Sequence, residues 1–279
     1  MDVETQTVDG HRWTLRLYPA ATPGEGMVWI PALGVPARKY ERMAQSLASR
    51  GISVAVHEWR GNDTSSLRPS RLCDWGYREL LMLDVPASFV EARKHLPDRR
   101  WSIGGHSLGG QLAALYLAMN PQAASSLVLV ATGVPDSRSF RGHLRTGIAL
   151  FASIMPIVTR LFGYFPGDRL RWAGREAAGV MRQWSTTVRR GRYDDVGLPG
   201  DVEAALARLD QPALGIRFAD DWLAPAASQE ALFAKLGAGT RTREIFDAAR
   251  LGTRPDHFRW MRNPDAVAER IANWIRTNP

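Results

Sequence analysis

Along the chain, apolar residues recur with a period of two over short runs and near 3.6 over longer ones, and the two patterns alternate. Residues 5–9 and 12–18 predict two strands joined at Asp9-Gly10-His11, a hairpin turn signal. Residues 27–30 predict a short buried strand. A helix follows over 38–49 through Tyr40, Met43, Ala44, Leu47 and Ala48, and Gly51 ends it. Residues 52–56 form the next predicted strand. Asp74 is placed to cap a long helix whose apolar face runs Tyr77, Leu80, Leu81, Ala87, Phe89, Val90. A strand over 101–104, a helix over 111–119 closed by Asn120-Pro121, and an apolar strand over 127–130 complete this part.

The pattern then changes. From about 134 to 200 no strand–helix alternation is visible, and Pro156, Pro166 and Pro199 punctuate a segment rich in Arg, Trp, Phe and Tyr. It predicts a helical insertion. Alternation resumes with strands over 213–218 and 242–246 and helices over 226–236 and 264–275. Strands separated by helices imply a mostly parallel sheet covered on both faces. The predicted organisation is a core over 1–133, a helical cap over 134–201 and the rest of the core over 202–279. Residues 146–159 carry no charge and are bracketed by Arg145 and Arg160. That stretch is too short to span a membrane, and Pro156 should interrupt it. It predicts a buried segment or an apolar lid.

Composition narrows the class. In 279 residues, 45% apolar, there is one cysteine, Cys73, so no intramolecular disulfide forms and a reducing cytoplasm fits. The polar, acidic start lacks a signal peptide's basic and apolar regions. The net charge is +8, but lysine occurs only at Lys39, Lys94 and Lys235; the rest of the 36 basic residues are arginine, spread along the chain. No nucleic-acid motif accompanies them, and no nucleic-acid partner is expected.

Candidate chemistry sits in Gly105-His106-Ser107-Leu108-Gly109, between the 101–104 strand and the 111–119 helix. A serine between glycines on a strand-to-helix turn is a nucleophile elbow. The turn is too tight for a Cβ two positions to either side. A serine hydroxyl needs a base, and the base needs a carboxylate to orient it. On this kind of sheet the order is Ser, acid, His. Only His143 and His257 follow Ser107; His143 lies amid Arg141 and Arg145 in the insertion, whereas His257 lies in the loop between the last strand and last helix. His57 and His106 cannot fill the slot in this order. Asp221 is the preferred acid and Asp220 its close alternative; Asp136 and Asp247 also follow strands. For the oxyanion, one donor is the N–H of Leu108. The second comes from Pro31-Ala32-Leu33-Gly34-Val35-Pro36, Leu33 before Ala32.

With these pieces in place the chain resembles the α/β-hydrolase superfamily over nearly its whole length. Residues 54–65 resemble the family's strand-then-Asp-x-Arg-Gly-x-Gly-x-Ser stretch, with Glu58 and Asp63 where Asp and Gly are usual. The usual His-Gly of the oxyanion loop is here Pro31-Ala32. Within the superfamily it is similar to uncharacterised bacterial serine hydrolases with a helical cap, through Pro31-Ala32-Leu33-Gly34-Val35-Pro36, Gly163-Tyr164-Phe165-Pro166-Gly167 and Asp220-Asp221-Trp222-Leu223-Ala224-Pro225. The resemblance implies an eight-stranded sheet, a cap between its sixth and seventh strands, and a triad of Ser107, Asp221 and His257. The resemblance implies no substrate; the residues themselves point to a metal- and cofactor-free serine hydrolase acting on a small-molecule ester or related acyl bond. An acyltransferase, thioesterase, amidase or non-catalytic ligand-binding protein would share this frame. The aromatics Phe151, Phe162, Tyr164, Phe165, Trp172 and Trp184 either line the substrate pocket or form the cap's own core.

Overall fold

The structure, a computed structural model, describes residues 1–170 and 173–278. Its centre is one eight-stranded sheet. Strands β1 (Asp2–Gln6), β2 (Arg12–Tyr18), β3 (Gly24–Ile30), β4 (Ile52–Val56), β5 (Arg99–His106) and β6 (Leu127–Val130) come first. After β7 (Tyr164–Pro166) and β8 (Arg175–Ala177), which form a separate small sheet, come β9 (Ala213–Phe218) and β10 (Arg241–Phe246). The main order is β1-β2-β4-β3-β5-β6-β9-β10. β1 and β2 pair antiparallel, as do β2 and β4; every pair from β4 to β10 is parallel. The chain reverses its direction of travel across the sheet at β3, and the loops after β3 and β5 therefore flank the crevice where such sheets bind ligands.

Both faces are covered. Helices Val85–His95 and Leu108–Met119 bury Val85, Phe89, Leu112 and Leu115 against one face. Helices Glu41–Ala48 and Asp265–Thr277 bury Met43, Leu47, Ile271 and Trp274 against the other. The central strands β3, β4, β6 and β9 are accordingly apolar on both sides, as buried parallel strands are.

Several local readings need correcting. β1 ends at Gln6 rather than Asp9, because Thr7 accepts the N–H of Gly10 to close the turn and the Asp9 carboxylate pairs with Arg60 at 2.8 Å. Asp74 caps no helix of its own. Gly76 takes the cap position, with its N–H donating to Glu79 at 2.8 Å, and Asp74 instead accepts from Gly179 N–H at 2.8 Å and Arg182 at 3.0 Å. The long helix also contains a π turn, Leu80–Asp84, whose extra residue turns Asp84 fully inward.

The segment between β6 and β9 is not purely helical, since it includes the β7–β8 pair. Its main helix runs unbroken over Gly142–Phe162, through Pro156. Proline leaves the carbonyl four residues back without its donor. That carbonyl, of Ala152, accepts from Ser185 Oγ on the neighbouring Ala178–Arg190 helix. At 21 residues the Gly142–Phe162 helix is long and apolar enough to cross a membrane by length and composition. Only Ala152, Met155 and Thr159 are buried in it; Leu150, Ile154, Ile157 and Leu161 form an exposed apolar face.

Candidate active site

Ser107 stands on the corner between β5 and the Leu108–Met119 helix at φ 55° and ψ −123°. Such a backbone costs a non-glycine residue about 1–3 kcal/mol, so its surroundings must impose it. They do. Ser107 N–H donates to Val130 O at 3.0 Å, and its carbonyl accepts from Gly110 N–H at 3.1 Å and Thr132 Oγ1 at 3.2 Å. A Cβ on Gly105 would collide with the Gly109 carbonyl, and one on Gly109 with the carbonyl oxygens of Ile30 and Pro31. Leu108 opens the helix, so its N–H has no intrahelical acceptor.

The loop after β3 lies against this corner. Ala32 N–H donates to Tyr40 Oη at 2.9 Å, and Tyr40 Oη lies 2.7 Å from His106 Nδ1. Of the two amides weighed from sequence, that of Ala32 is therefore already engaged. Leu33 lines the chamber beside Ser107, and among the described residues no acceptor is recorded for its N–H. His106 is fully buried, its ring 4.9 Å from that of His257; burial, then the neighbouring His257, push its pKa well below the usual histidine value. It is held neutral.

His257 and Asp221 are brought together by two loops at the same edge of the sheet. His257 Nδ1 and Asp221 Oδ2 are 2.8 Å apart, and the Asp221 side chain is fully shielded from solvent. The other Asp221 oxygen accepts from Leu223 N–H at 2.9 Å and Ala224 N–H at 3.0 Å, which fixes the carboxylate's plane. Asp220 N–H donates to Pro255 O at 3.0 Å and ties the acid loop to the histidine loop, while the Asp220 side chain points to solvent. Asp136 pairs with Arg138 at 2.7 Å, Asp247 caps its own short helix, and His143 is exposed. His57 is buried with Nδ1 2.9 Å from Ser88 Oγ. Ser107 and His257 line one chamber of about 710 Å³, although among the described residues no hydrogen bond joins them. No group of three or more His, Cys, Asp or Glu among the described residues could hold a metal ion.

A family model described as serine aminopeptidase, S33 (Hydrolase_4) matches residues 27–250. The chain belongs to this family of α/β-hydrolases. A search of curated proteins finds no match. Similar solved structures include a hydrolase from Pseudomonas aeruginosa PA01, with 21% identity, TM-score 0.62 and 98% of each chain covered. An esterase from Exiguobacterium antarcticum aligns at 15% identity and TM-score 0.65, over 99% of this chain and 100% of that one. A monoacylglycerol lipase from Paleococcus ferrophilus aligns at 15% identity and TM-score 0.65, over 95% and 99%. At these identities the likeness establishes the fold.

The α/β-hydrolase frame also locates what the sequence left unread. The 54–65 stretch builds support beneath the site. Glu58 accepts the N–H groups of Ala37 and Trp59, and burial pushes its carboxyl up to about 7. Arg60 forks onto Asp84 at 2.7 and 2.8 Å. Tyr40 read as a core residue of a helix; only the fold puts its hydroxyl between the Ala32 amide and His106. Phe151 and Phe165 meet edge to face at 5.8 Å, and Phe165 packs with Met155 and Met181 in a small core inside the inserted segment. Trp184 joins that core and also lines the chamber, as does Ile148. Phe162 is exposed, Tyr164 lies under Arg175 at 3.8 Å, and Trp172 lies outside the described residues.

Proposed function

We propose that the protein is a serine hydrolase that cleaves an ester or related acyl bond through a covalent acyl-enzyme. Ser107 attacks the carbonyl carbon while His257 Nε2 takes its proton. The oxyanion is held by the N–H groups of Leu108 and Leu33. The tetrahedral intermediate collapses as His257 protonates the leaving group, and water then repeats the cycle on the acyl-enzyme with His257 as base. Asp221 stays ionised, fixes the tautomer and stabilises the imidazolium. In this reading residues 134–201 act as a cap over a core of 1–133 and 202–279, and Ile148 and Trp184 favour an apolar acyl group.

The observation that carries the reading is the buried 2.8 Å Asp221–His257 contact opening on the chamber that Ser107 lines. A carboxylate with no solvent and two backbone donors on its second oxygen is built to hold a histidine. The esterase and lipase folds among the similar structures support the same class. The test is labelling by a fluorophosphonate probe alongside a panel of p-nitrophenyl esters of rising acyl length. Wild type should be labelled and active, and Ser107→Ala neither. Equal labelling of both would move the nucleophile elsewhere. Labelling without ester turnover would favour an acyltransferase, thioesterase or amidase.

A further inference from the structure

The chamber is polarised. Its inserted-segment side presents Ile148, Ala173 and Trp184, none of them charged. Among the described residues, every cation lining it comes from the stretch that also holds His257: Arg254, Arg259 and Arg262, all exposed at the rim. One carboxylate answers them. Asp256 lies 3.8 Å from Arg254 and 3.4 Å from Arg259, while Arg262 makes no ion pair among the described residues. The rim continues into a second groove of about 390 Å³ between the oxyanion loop and the histidine loop, where Lys39 joins Arg259 and Arg262 and no carboxylate lines the groove among the described residues. Lys39 too makes no ion pair among the described residues.

We infer that the substrate carries an anionic group, a phosphate or a carboxylate, on its leaving-group side. The inference rests on the proposed hydrolase reading, because it uses the direction of the reaction. A leaving oxygen or sulfur receives its proton from His257, so it departs beside the loop that carries His257. The acyl group then points the other way, toward Ile148 and Trp184. Past the leaving atom, the substrate runs out over Phe258 into the groove of Arg259, Arg262 and Lys39. Guanidinium groups offer paired donors that match phosphate and carboxylate oxygens, and cations concentrated at a cleft mouth raise the local concentration of anions. Cleavage breaks the acyl–oxygen or acyl–sulfur bond, water supplies the hydroxyl of the free acid, and the anionic alcohol or thiol leaves with the proton from His257.

The experiment compares substrates matched in their acyl group. One pair is 2-nitrophenyl butyrate and 3-butanoyloxy-4-nitrobenzoate, which adds a carboxylate to the leaving phenol. The other is S-butyryl-N-acetylcysteamine and butyryl-coenzyme A, which adds phosphates to the leaving thiol. In one pair or both, the anionic member should have the higher kcat/KM by about tenfold at low salt, a preference that shrinks at about 0.5 M NaCl. The pair that shows it identifies the anion. In Arg259→Gln/Arg262→Gln the ratio of anionic to neutral kcat/KM should fall to near one, whereas Arg208→Gln, an exposed arginine away from the chamber, should keep it. Parity of both pairs in wild type, or a preference that survives the double substitution, would overturn the inference. Fluorophosphonate labelling of Ser107 separates the two levels: labelling with parity sinks this inference alone. If labelling and turnover both fail, titrating Ser107→Ala by tryptophan fluorescence with coenzyme A and with pantetheine decides, since Trp222 lines the chamber. Tighter binding of coenzyme A that is lost in the double variant supports the anion site, and equal binding refutes it.

Discussion

The elbow at Ser107 and the Gly142–Phe162 helix both border the chamber, and they are held to different standards. Around the elbow the backbone is enclosed: Gly105, Gly109 and Gly110 have no room for another atom, and Ser107 is fixed from both its N–H and its carbonyl. Along the helix only three of 21 residues are buried, and Leu150, Ile154, Ile157 and Leu161 remain 43–61% exposed. The difference is one of what each must do. In the proposed reading a nucleophile misplaced by an ångström would lose most of its rate, and the sheet fixes Ser107 from several sides. In that reading the helix is a wall that selects substrates by shape alone, for which resting on Met155 suffices.

The largest effects should come from the enclosed region. Ser107→Ala and His257→Ala should abolish turnover, and Asp221→Asn should cost about 10⁴ in kcat while leaving the fold intact, because the wrong histidine tautomer is then favoured. Asp136→Asn, His143→Ala and Asp220→Asn should cost little. Steady-state kinetics with thermal melts on each variant checks this. A large loss in Asp136→Asn would move the acid to the preceding loop.

Two glycines sharpen the contrast next. Gly109→Ala forces a methyl against the Ile30 and Pro31 carbonyls and should destabilise by about 3 kcal/mol, with activity lost. Gly147 has nothing within 4 Å of its would-be Cβ. Gly147→Ala should therefore stabilise the helix by about 0.5–1 kcal/mol. Denaturant melts giving the same sign for both would break the comparison. Within the inserted segment the same logic divides Phe165 from Ile157. Phe165→Ala opens the small core against Met155 and Met181 and should cost about 3 kcal/mol. Ile157→Gln, on the exposed face, should stay within about 0.5 kcal/mol. Phe165→Ala should also lower activity alike across acyl lengths; a KM rise confined to long-chain esters would make Phe165 a lining residue instead.

What was legible in the sequence follows the range of the force that sets it. The elbow could be read because its rule is steric and spans five residues. The alternating strands and helices could be read because burial imposes their periods. Asp221 could be preferred to Asp220 but not set apart from it by spacing, since adjacent turn residues differ only in which way the loop aims them. Asp74 looked like a cap by a local rule and is used instead by Gly179 and Arg182, far along the chain. Pro156 looked like a break, and only the approach of Ser185 satisfies the carbonyl it strands. The basic rim was invisible for another reason. Arginine is so frequent here that Arg259 and Arg262 stand out only once the fold sets them beside Lys39.

An effect that appears only as pH changes tests the seam between the two regions. Glu176, on β8 of the inserted segment, reaches the loop that carries Leu33: a Cβ on Gly34 would meet Gly174 N at 2.5 Å and Glu176 Oε1 at 2.9 Å. Burial, helped by the charge of Asp168 and opposed by the Gly174 N–H it accepts, pushes the Glu176 carboxyl up to about 7. The folded protein thus holds this proton more tightly than the unfolded chain, whose carboxyl titrates near 4.5. Between those values folding takes up a proton, so stability falls as pH rises through the window and levels off above about 7. Glu176→Gln keeps an acceptor for Gly174 and removes the charge. It should be close to wild type at about pH 4.5 and more stable at about pH 8, by roughly 1–3 kcal/mol. Glu58, also raised to about 7, and His57, lowered to about 4 by burial, bend the curve of both proteins alike and cancel in the difference. Stability curves that run parallel from pH 4.5 to 8 would mean that Glu176 meets water, and that the inserted segment stands off the loop that carries Leu33.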